Sequence, residues 1–321
     1  MGDHMDLLAG DIGGTKTLLL RGRWRDGRLE TLAEARFASA AYADLADLVN
    51  EFLSGAPAPA RACFAVAGPV QPAADGGRQA RITNLPWRLD SRQLEKATGI
   101  GEVALINDLV GVGHGIAMLR PADVLTVQAG AVQPQRLRAV LGIGTGLGMA
   151  LLSPDGRVFP TEAGHLAFAP LDDRQVQLRA FVRRRLGIER VSVERLVAGP
   201  GLALVHEFLG GGVVDPGDIA DQAAAGEAPA GESMALFMAL CGAIVGDLAL
   251  ACLPFGGLYL AGGVAQKNRT QVAGPDFMQA FAAKGRMAGV LQRLPLHIIT
   301  EPRVGLLGAA RHAALGGGDP D

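Results

Sequence analysis

The feature that most constrains this chain is a repeated unit: an apolar strand, a turn of glycine and threonine, and a second apolar strand. The unit surrounds DIGGT at residues 11–15 and occurs again around GTG at residues 144–146. We call residues 13–15 the first glycine turn and residues 144–146 the second glycine turn. Two hairpins of like design, one early in each half of the chain, indicate two related domains that face a common cleft.

Apolar strands alternate with helical segments along the rest of the chain, which indicates an α/β fold with a largely parallel sheet. Strands are predicted at 7–10, 18–20, 62–66, 103–106, 138–141, 149–152 and 258–260, and helices at 42–53 and 305–315. The glycine-rich stretches at 71–79 and 210–231 are interpreted as a loop and an exposed connection.

The length of 321 residues suits two domains. We place a small α/β domain at residues 5–117 and a large α/β domain at 118–301. The last helix is expected to pack back on the first domain, so that residues 302–321 complete the small domain.

Composition excludes several classes of protein. A formal net charge of −2 does not provide the basic surface that nucleic-acid binding requires, so no nucleic-acid partner is expected. Cys63, Cys241 and Cys252 are widely spaced in apolar runs, which indicates buried thiols in a reducing compartment rather than disulfides or a metal site.

No basic region precedes an apolar stretch at the N-terminus, so we expect no signal peptide and a cytoplasmic location.

One apolar stretch, residues 234–253, has the length of a membrane span. Gly242, Gly246 and Asp247 interrupt it, and no Lys or Arg occurs between Arg195 and Lys267 to orient a span. We therefore interpret the stretch as a helix buried against a sheet, and we expect no membrane partner.

The two glycine turns are candidate phosphate sites. Successive backbone N–H groups in a tight turn bind phosphate oxygens, and glycine removes the side chains that would block their approach. Neither turn has the spacing of a P-loop, and neither leads into a helix as a dinucleotide-binding turn does. Each turn alone fits an ordinary hairpin, whereas two of the same design favour phosphate binding. The residues are Gly13, Gly14 and Thr15, and Gly144, Thr145 and Gly146.

Three acidic or amide side chains stand at strand ends near these turns. Asp11, at the mouth of the first glycine turn, suits Mg²⁺ held through water, or simply caps the turn. The strand at 103–106 runs directly into Asn107 and Asp108. Phosphoryl transfer to a sugar needs a carboxylate that accepts the hydroxyl proton, and open α/β sheets bind ligands at the carboxyl ends of their strands. Asp108 is therefore the candidate base, with a strand-ending turn as the alternative.

The remaining candidates are polar groups suited to sugar hydroxyls. Glu162, His165 and Glu194 offer two carboxylates and an imidazole. Glu162 and His165 also have the spacing of two metal ligands on a helix, but no third ligand lies nearby in the sequence, and His165 alone fits a structural role. Asn84, close to Trp87, fits a sugar contact or a turn.

In order along the chain, these motifs resemble those of the bacterial glucokinase family, which is related to the ROK kinases. The resemblance extends from residue 8 to about residue 308. Each motif is weak alone, whereas the ordered set is highly specific. The matching segments are LAGDIGGT at 8–15, LIND at 105–108, GTGLG at 144–148, EAGHLAFAP at 162–170, VERLVAGPGL at 193–202 and LAGGV at 260–264.

The resemblance implies a two-lobed, actin-like fold of the ribonuclease-H type, with a cleft between a small and a large domain. It implies an ATP- and Mg²⁺-dependent glucokinase, commonly a homodimer, with Asp108 as the general base. A kinase of another hexose (fructose, mannose or an N-acetylated amino sugar) and a non-catalytic sugar sensor remain the alternatives. The glucose ligands would be Asn84, Asn107, Glu162, His165 and Glu194.

By the same resemblance, Thr15 and Thr145 would face the phosphates, and Gly262 and Gly263 would lie against the nucleoside. Two departures stand out. No Cys lies between Cys63 and Cys241, so the zinc motif of the ROK group is not expected. Lys16, directly after the first glycine turn, varies in the wider family and receives no role.

Overall fold

The structure is a computed structural model that describes residues 4–82 and 85–316. The chain forms two compact units. Unit 1 comprises residues 1–122, 155–160 and 301–321, and unit 2 comprises residues 123–154 and 161–300. Strands and helices alternate in both units, which confirms the α/β class.

The described strands are, in chain order, β1 (Met5–Ile12), β2 (Lys16–Arg25), β3 (Arg28–Ala38), β4 (Arg61–Val66), β5 (Val70–Pro72), β6 (Arg78–Arg81), β7 (Arg88–Asp90), β8 (Glu102–Asn107), β9 (Val124–Gln128), β10 (Arg138–Ile143), β11 (Leu147–Leu152), β12 (Val158–Thr161), β13 (Gly257–Ala261) and β14 (Leu296–Ile299). The described α-helices are α1 (Leu45–Phe52), α2 (Ser91–Thr98), α3 (Asp108–Gly115), α4 (Asp173–Leu186), α5 (Gly199–Phe208), α6 (Pro216–Ala224), α7 (Ala230–Cys252), α8 (Gly263–Lys267), α9 (Arg269–Val272), α10 (Pro275–Ala282), α11 (Ala288–Leu291) and α12 (Val304–Leu315).

The main sheet of unit 1 has the strand order β3-β2-β1-β4-β8. β1 is antiparallel to β2 across the first glycine turn, and β1, β4 and β8 are parallel. Ile12 pairs with Val66, and Val66 pairs with Asn107, so the carboxyl ends of the three parallel strands lie at one edge of the sheet. This edge is where an open α/β sheet places its ligands.

Helices cover both faces of this sheet. One face packs on α1 and α2 around the buried side chains of Leu45, Leu48 and Phe64. The other face carries α3 and α12, which contact each other along their lengths. A Cβ atom on Gly115 of α3 would overlap the carbonyl oxygen of Val304 in α12, so the two helix backbones touch directly. α3 therefore cannot shift towards α12.

The sheet of unit 2 has the order β12-β11-β10-β13-β14-β9. β10 is antiparallel to β11 across the second glycine turn, and β10, β13 and β14 are parallel. The series β11-β10-β13-β14 thus repeats the order and directions of β2-β1-β4-β8 in unit 1. The two glycine turns occupy equivalent places in the two sheets.

The apolar helix α7 belongs to the core of unit 2. Its length and composition alone would allow a membrane span, yet 61% of its most apolar window is buried. A Cβ atom on Gly242 would overlap the carbonyl oxygen of Phe277, and one on Gly246 would lie 2.5 Å from the carbonyl oxygen of Phe281, both in α10. The glycines that interrupt the apolar stretch are therefore the close contacts of a buried helix, which confirms the predicted burial.

One predicted helix start and two predicted irregular segments differ from the structure. The helix expected from residue 42 begins at Leu45, because the Asp44 side chain accepts the Asp47 N–H at 2.9 Å and caps it. The loop expected at 71–79 contains ends of β5 and β6, which pair in a small antiparallel sheet ordered β5-β6-β7. The connection expected at 210–231 contains α6, whose Ile219 is fully buried.

Candidate functional site

Two carboxylates lie at the carboxyl edge of the unit 1 sheet. Asp11 is the next-to-last residue of β1, and Asp108 is the first residue of α3, directly after β8. The pairing of Ile12 with Val66 and of Val66 with Asn107 brings both strand ends to the same edge. The sequence predicted Asp108 at a strand end. The structure adds that Asp108 begins a helix, whose N-terminal dipole favours a negative charge.

The environment of Asp108 adjusts its proton affinity. The Asp108 pKa is raised to about 6, mainly by burial and in smaller part by the negative charge of Asp11. The Leu109 N–H donates to Asp108 Oδ1 at 2.9 Å and opposes this shift without cancelling it. A carboxylate with a pKa of about 6 is ionised at neutral pH and accepts a proton more readily than an ordinary aspartate, as a general base requires.

Asn107 has a structural role that the sequence did not reveal. Its Oδ1 accepts the Leu109 N–H at 2.9 Å, which makes Asn107 the N-cap of α3. Its Nδ2 donates to the carbonyl oxygen of Gly68 at 3.2 Å. These contacts hold the first turn of α3, and with it Asp108, against the end of β4. Sugar binding by Asn107 stays a prediction.

Asp11 fits a magnesium ion that retains its water. Burial raises the pKa of Asp11, and the positive charge of Lys16 opposes that shift. Among residues 4–82 and 85–316, no group of three or more His, Cys, Asp or Glu side chains would hold a metal by protein ligands alone. Mg²⁺ in phosphoryl-transfer sites is bound by one or two carboxylates, substrate phosphates and water, so one carboxylate beside a candidate phosphate turn fits such an ion.

The first glycine turn is braced by a serine that the sequence analysis missed. The backbone of the turn closes through the Gly13 N–H, which donates to the Lys16 carbonyl at 3.0 Å. The fully buried Ser39 hydroxyl donates to the Gly13 carbonyl at 2.8 Å. Because that hydroxyl has one proton, the Thr17 hydroxyl must donate to Ser39 Oγ, 3.0 Å away. No local sequence signal connects Ser39 with a turn that lies so far before it.

The second glycine turn lies between the beginnings of two helices of unit 2. The Gly199 N–H, at the start of α5, donates to the Gly144 carbonyl at 2.8 Å. Gly262, the N-cap of α8, has φ of +89°, and a Cβ atom there would lie 2.5 Å from the carbonyl oxygen of Ile143. Only glycine fits at position 262. The N-terminus of α8 therefore approaches the turn with bare backbone, followed by Gly263, as a phosphate-bearing ligand requires.

Glu194 is bound to the second glycine turn. Its Oε2 accepts the Leu147 N–H at 3.0 Å, and a Cβ atom on Gly146 would lie 2.6 Å from the same oxygen. A cavity of about 600 Å³ opens beside Glu194 and Thr145. Its wall also includes the apolar side chains of Pro200, Leu204 and Val214. The carboxylate and the turn thus face the same space.

Glu162 and His165 lie next to Leu147, the first residue of β11, on the side of its carbonyl group. Glu162 is the N-cap of the 3₁₀ helix Ala163–His165, and His165 is its last residue. Glu162 Oε2 and His165 Nε2 are 3.7 Å apart, and both side chains are more than half exposed. A Cβ atom on Gly164 would overlap the Leu147 carbonyl oxygen. Because Glu194 binds the N–H group of Leu147, the structure brings all three predicted sugar ligands of unit 2 to the end of the second glycine turn.

The predicted residues therefore form two sets, one in each unit. In unit 1 the structure brings together Asp11, Asn107, Asp108 and the first glycine turn. In unit 2 it brings together Glu162, His165, Glu194, Gly262 and the second glycine turn. Asn84 lies outside the described residues.

Comparisons with known proteins identify the relatives of the chain. The sequence model of the glucokinase family matches residues 8–315. The chain is 38% identical to a glucokinase of Nostoc punctiforme, over 96% of this chain and 98% of that protein. Among solved structures, the chain is 28% identical to a glucokinase from an Antarctic psychrotroph, with a TM-score of 0.84 over 97% of this chain and 99% of the other.

A more distant structure supports the fold alone. A ROK family glucokinase from Streptomyces griseus, in complex with glucose and AMPPNP, is 19% identical, with a TM-score of 0.61 over 97% of this chain and 100% of that chain. The resemblance to sugar kinases of the glucokinase and ROK groups thus covers almost the whole chain, and it confirms the predicted fold class.

Proposed function

Because the chain belongs to the glucokinase family, we propose that it transfers the terminal phosphoryl group of ATP to D-glucose, with Asp108 as the general base. The observation that carries this proposal is the placement of Asp108. It begins a helix at the ligand-binding edge of the sheet, beside a second carboxylate and a phosphate-binding turn, with a pKa of about 6. Partial burial of a carboxylate raises its pKa at a cost in stability, and such shifted groups are common at functional sites.

The reaction is a direct in-line displacement. The oxygen of the glucose 6-hydroxyl forms a bond to the γ-phosphorus of ATP, and the bond from that phosphorus to the bridging β,γ oxygen breaks. The electron pair of the broken bond leaves with ADP. The proton of the 6-hydroxyl moves to Asp108.

The phosphates would be bound by bare backbone and hydroxyl groups. Thr15 and Thr145 provide the hydroxyls of the two glycine turns, and Gly262 and Gly263 allow the nucleoside to approach α8. Asp11 would hold Mg²⁺ through water, and when bound this ion neutralises charge on the phosphate oxygens.

The acceptor would be recognised by the carboxylates of unit 2. Glu162, His165 and Glu194 surround the start of β11, and each can pair with more than one sugar hydroxyl. Asn107 and Asn84 complete the proposed set of sugar ligands. The hydrogen bond from the Leu147 N–H to Glu194 connects the proposed sugar ligand to the second glycine turn. A displacement of the turn would therefore move the Glu194 carboxylate.

The proposal is tested by giving the purified full-length chain glucose, fructose, mannose and N-acetylated amino sugars, each with Mg-ATP, Mg-ADP or polyphosphate. Donor consumption and sugar phosphate are both measured. We expect the highest kcat/KM with glucose and Mg-ATP. A higher kcat/KM with another hexose would reassign the acceptor, and sugar binding without turnover would indicate a sensor. The homodimer stays a prediction from the family resemblance, and the cytoplasmic location stays one from the cysteines and the N-terminal sequence. Light scattering of the purified protein would test the homodimer.

A further inference from the structure

Lys16 lies on the same face of the unit 1 sheet as Asp11. It is the first residue of β2, directly after the first glycine turn. Asp11 of β1 is paired with Leu18 of β2. Directly opposed residues point to the same face of a sheet, and so do residues two positions apart on one strand. Lys16, two positions before Leu18, is therefore the diagonal neighbour of Asp11 at the edge of the candidate site.

The Lys16 ammonium group can reach the space above Asp11. Diagonal neighbours in an antiparallel pair are about 7–8 Å apart, within the reach of a long side chain. Lys16 is exposed, and its positive charge is the one that lowers the pKa of Asp11. Within residues 4–82 and 85–316, Lys16 forms no ion pair shorter than 4 Å. Its charge is thus available to a ligand.

Two other cations of unit 1 are engaged or lie farther away. Arg303, the N-cap of α12, is bound to Glu301 at 3.0 Å and to Glu34 at 3.2 Å. Arg36 is paired with Leu18 and shares the face, but it lies on β3, one strand farther from Asp11. Lys16 is therefore better placed than either arginine to act at this end of the sheet.

An anionic donor meets an electrostatic problem at this site. Asp108 is ionised at neutral pH, and Asp11 places a second carboxylate beside it, so the site resists the approach of a polyphosphate. The backbone N–H groups of the first glycine turn offer only partial charges. One full positive charge on a flexible side chain beside the turn would offset part of the repulsion, and more so when the bonds to phosphorus are partly broken and charge spreads over the transferring group.

We propose that the Lys16 ammonium group binds the polyphosphate of the donor nucleotide and offsets the charge of Asp11 and Asp108 during phosphoryl transfer. This inference rests on the proposed function. Lys16 gives and takes no proton in the step; it remains an ammonium ion and contributes charge alone. The role needs a cation, so arginine should replace lysine in part and an uncharged side chain of similar length should not.

The test compares Lys16→Met and Lys16→Arg with Arg28→Met. Arg28, at the first position of β3, is an exposed cation of the same sheet, and it pairs with Arg25 at the far end of β2 from the glycine turn. Steady-state kinetics with glucose and Mg-ATP are combined with calorimetric titration of Mg-ADP into each full-length variant. Thermal unfolding of all variants checks that exposed substitutions leave the fold intact.

For Lys16→Met we expect kcat/KM for ATP to fall about 10- to 100-fold. This loss is smaller than the loss expected on removal of a buried hydrogen-bond donor, because Lys16 is exposed to solvent. Mg-ADP affinity should weaken, while the KM for glucose changes less than about twofold. Lys16→Arg should recover most of the loss, and Arg28→Met should behave as wild type.

A Lys16→Met protein with wild-type ATP kinetics, or one whose glucose KM rises as much as its ATP KM, would overturn the inference. So would an equal loss in Arg28→Met. A wild-type chain that phosphorylates no sugar would instead refute the proposed function, and the titration of Mg-ADP would still report on Lys16.

Discussion

Gly308 of α12 lies directly on the carbonyl oxygen of Gly111 in α3, so close that a methyl group at position 308 would overlap that oxygen. The same methyl group would lie 2.6 Å from the backbone nitrogen of Gly115. Real Cβ atoms do not make such contacts, so the two helix backbones can approach only because glycine is present. Since Asp108 is the first residue of α3, this packing also determines where the proposed base stands.

Gly308→Ala is therefore expected to be strongly destabilising. The methyl group meets backbone that cannot rotate away, so α3 and α12 must separate, at a cost of about 3 kcal/mol or more of unfolding free energy. Activity should fall further than the folded fraction, because the shift of α3 displaces Asp108. Denaturant unfolding and the specific activity of the folded protein measure the two effects.

Gly217→Ala is the matched control for that substitution. Gly217 also lies in a helix, α6, and a Cβ atom there would meet nothing within 4 Å. Because alanine is the better helix former, this variant should match wild type or gain up to about 1 kcal/mol. Equal stability of the two variants would show that the contact of Gly308 with Gly111 is less tight than described.

Asp108→Asn should separate activity from stability. Asparagine has the same shape and can still accept the Leu109 N–H, but it cannot take a proton, so kcat should fall roughly 10²- to 10⁴-fold. Glucose affinity, measured by titration, should fall far less. Removal of a partly buried charge with a raised pKa should also raise the unfolding free energy at pH 7 by about 1–2 kcal/mol. Full activity in the purified variant would refute the assignment of Asp108 as the base.

The pH dependence of stability follows from the same shift. The folded protein holds the Asp108 proton with a pKa of about 6, above the value of 3.8 for an unperturbed aspartate. Between these two pH values the folded state binds more protons than the unfolded chain. The contribution of Asp108 to the unfolding free energy is therefore highest below pH 4 and declines as the pH rises to 6. Subtraction of the curve for Asp108→Asn from that of wild type isolates this contribution, and a difference that does not depend on pH would contradict it.

Catalysis should show the opposite trend with pH. The base must be ionised, so kcat/KM for glucose should rise through about pH 6 and then level off. Because the charge of Asp11 raises the Asp108 pKa, the residual activity of Asp11→Asn should have this rise at a lower pH. An activity profile that is flat between pH 5 and 7 would argue against a carboxylate base with this pKa.

Two alanine substitutions in one turn should distinguish sugar binding from phosphate binding. A Cβ atom on Gly146 would lie 2.6 Å from Glu194 Oε2 and displace the carboxylate, whereas one on Gly144 would meet nothing within 4 Å. Gly146→Ala should therefore raise the KM for glucose about tenfold, near the 1.4 kcal/mol of one lost hydrogen bond. Gly144→Ala should raise mainly the KM for ATP, because its methyl group enters the space left for phosphate. A reversed pattern would remove Glu194 from the sugar site.

Local sequence determined the features that depend on a few adjacent residues. Strand, glycine turn and strand at residues 7–20 and 138–152 are confirmed, because glycine and apolar side chains set backbone geometry over short distances. The same holds for α7, whose apolar length predicted burial, and for Asp108 directly after a strand. The turn-rich stretches predicted irregular structure where β5, β6 and α6 form, because strand pairing and helix packing decide the structure there.

Only the tertiary structure decided how the site residues are held. Ser39 braces the Gly13 carbonyl, and Glu194 binds the Leu147 N–H, although each pair is far apart in sequence. The raised pKa of Asp108 likewise depends on burial and on Asp11, which another strand supplies. Backbone preference acts over one turn or hairpin, whereas hydrogen bonds, charge interactions and burial act between any groups that folding brings within a few ångströms. The sequence therefore predicts which residues belong to the candidate site, whereas their hydrogen-bond partners and charged neighbours are determined only when the sheets and helices pack.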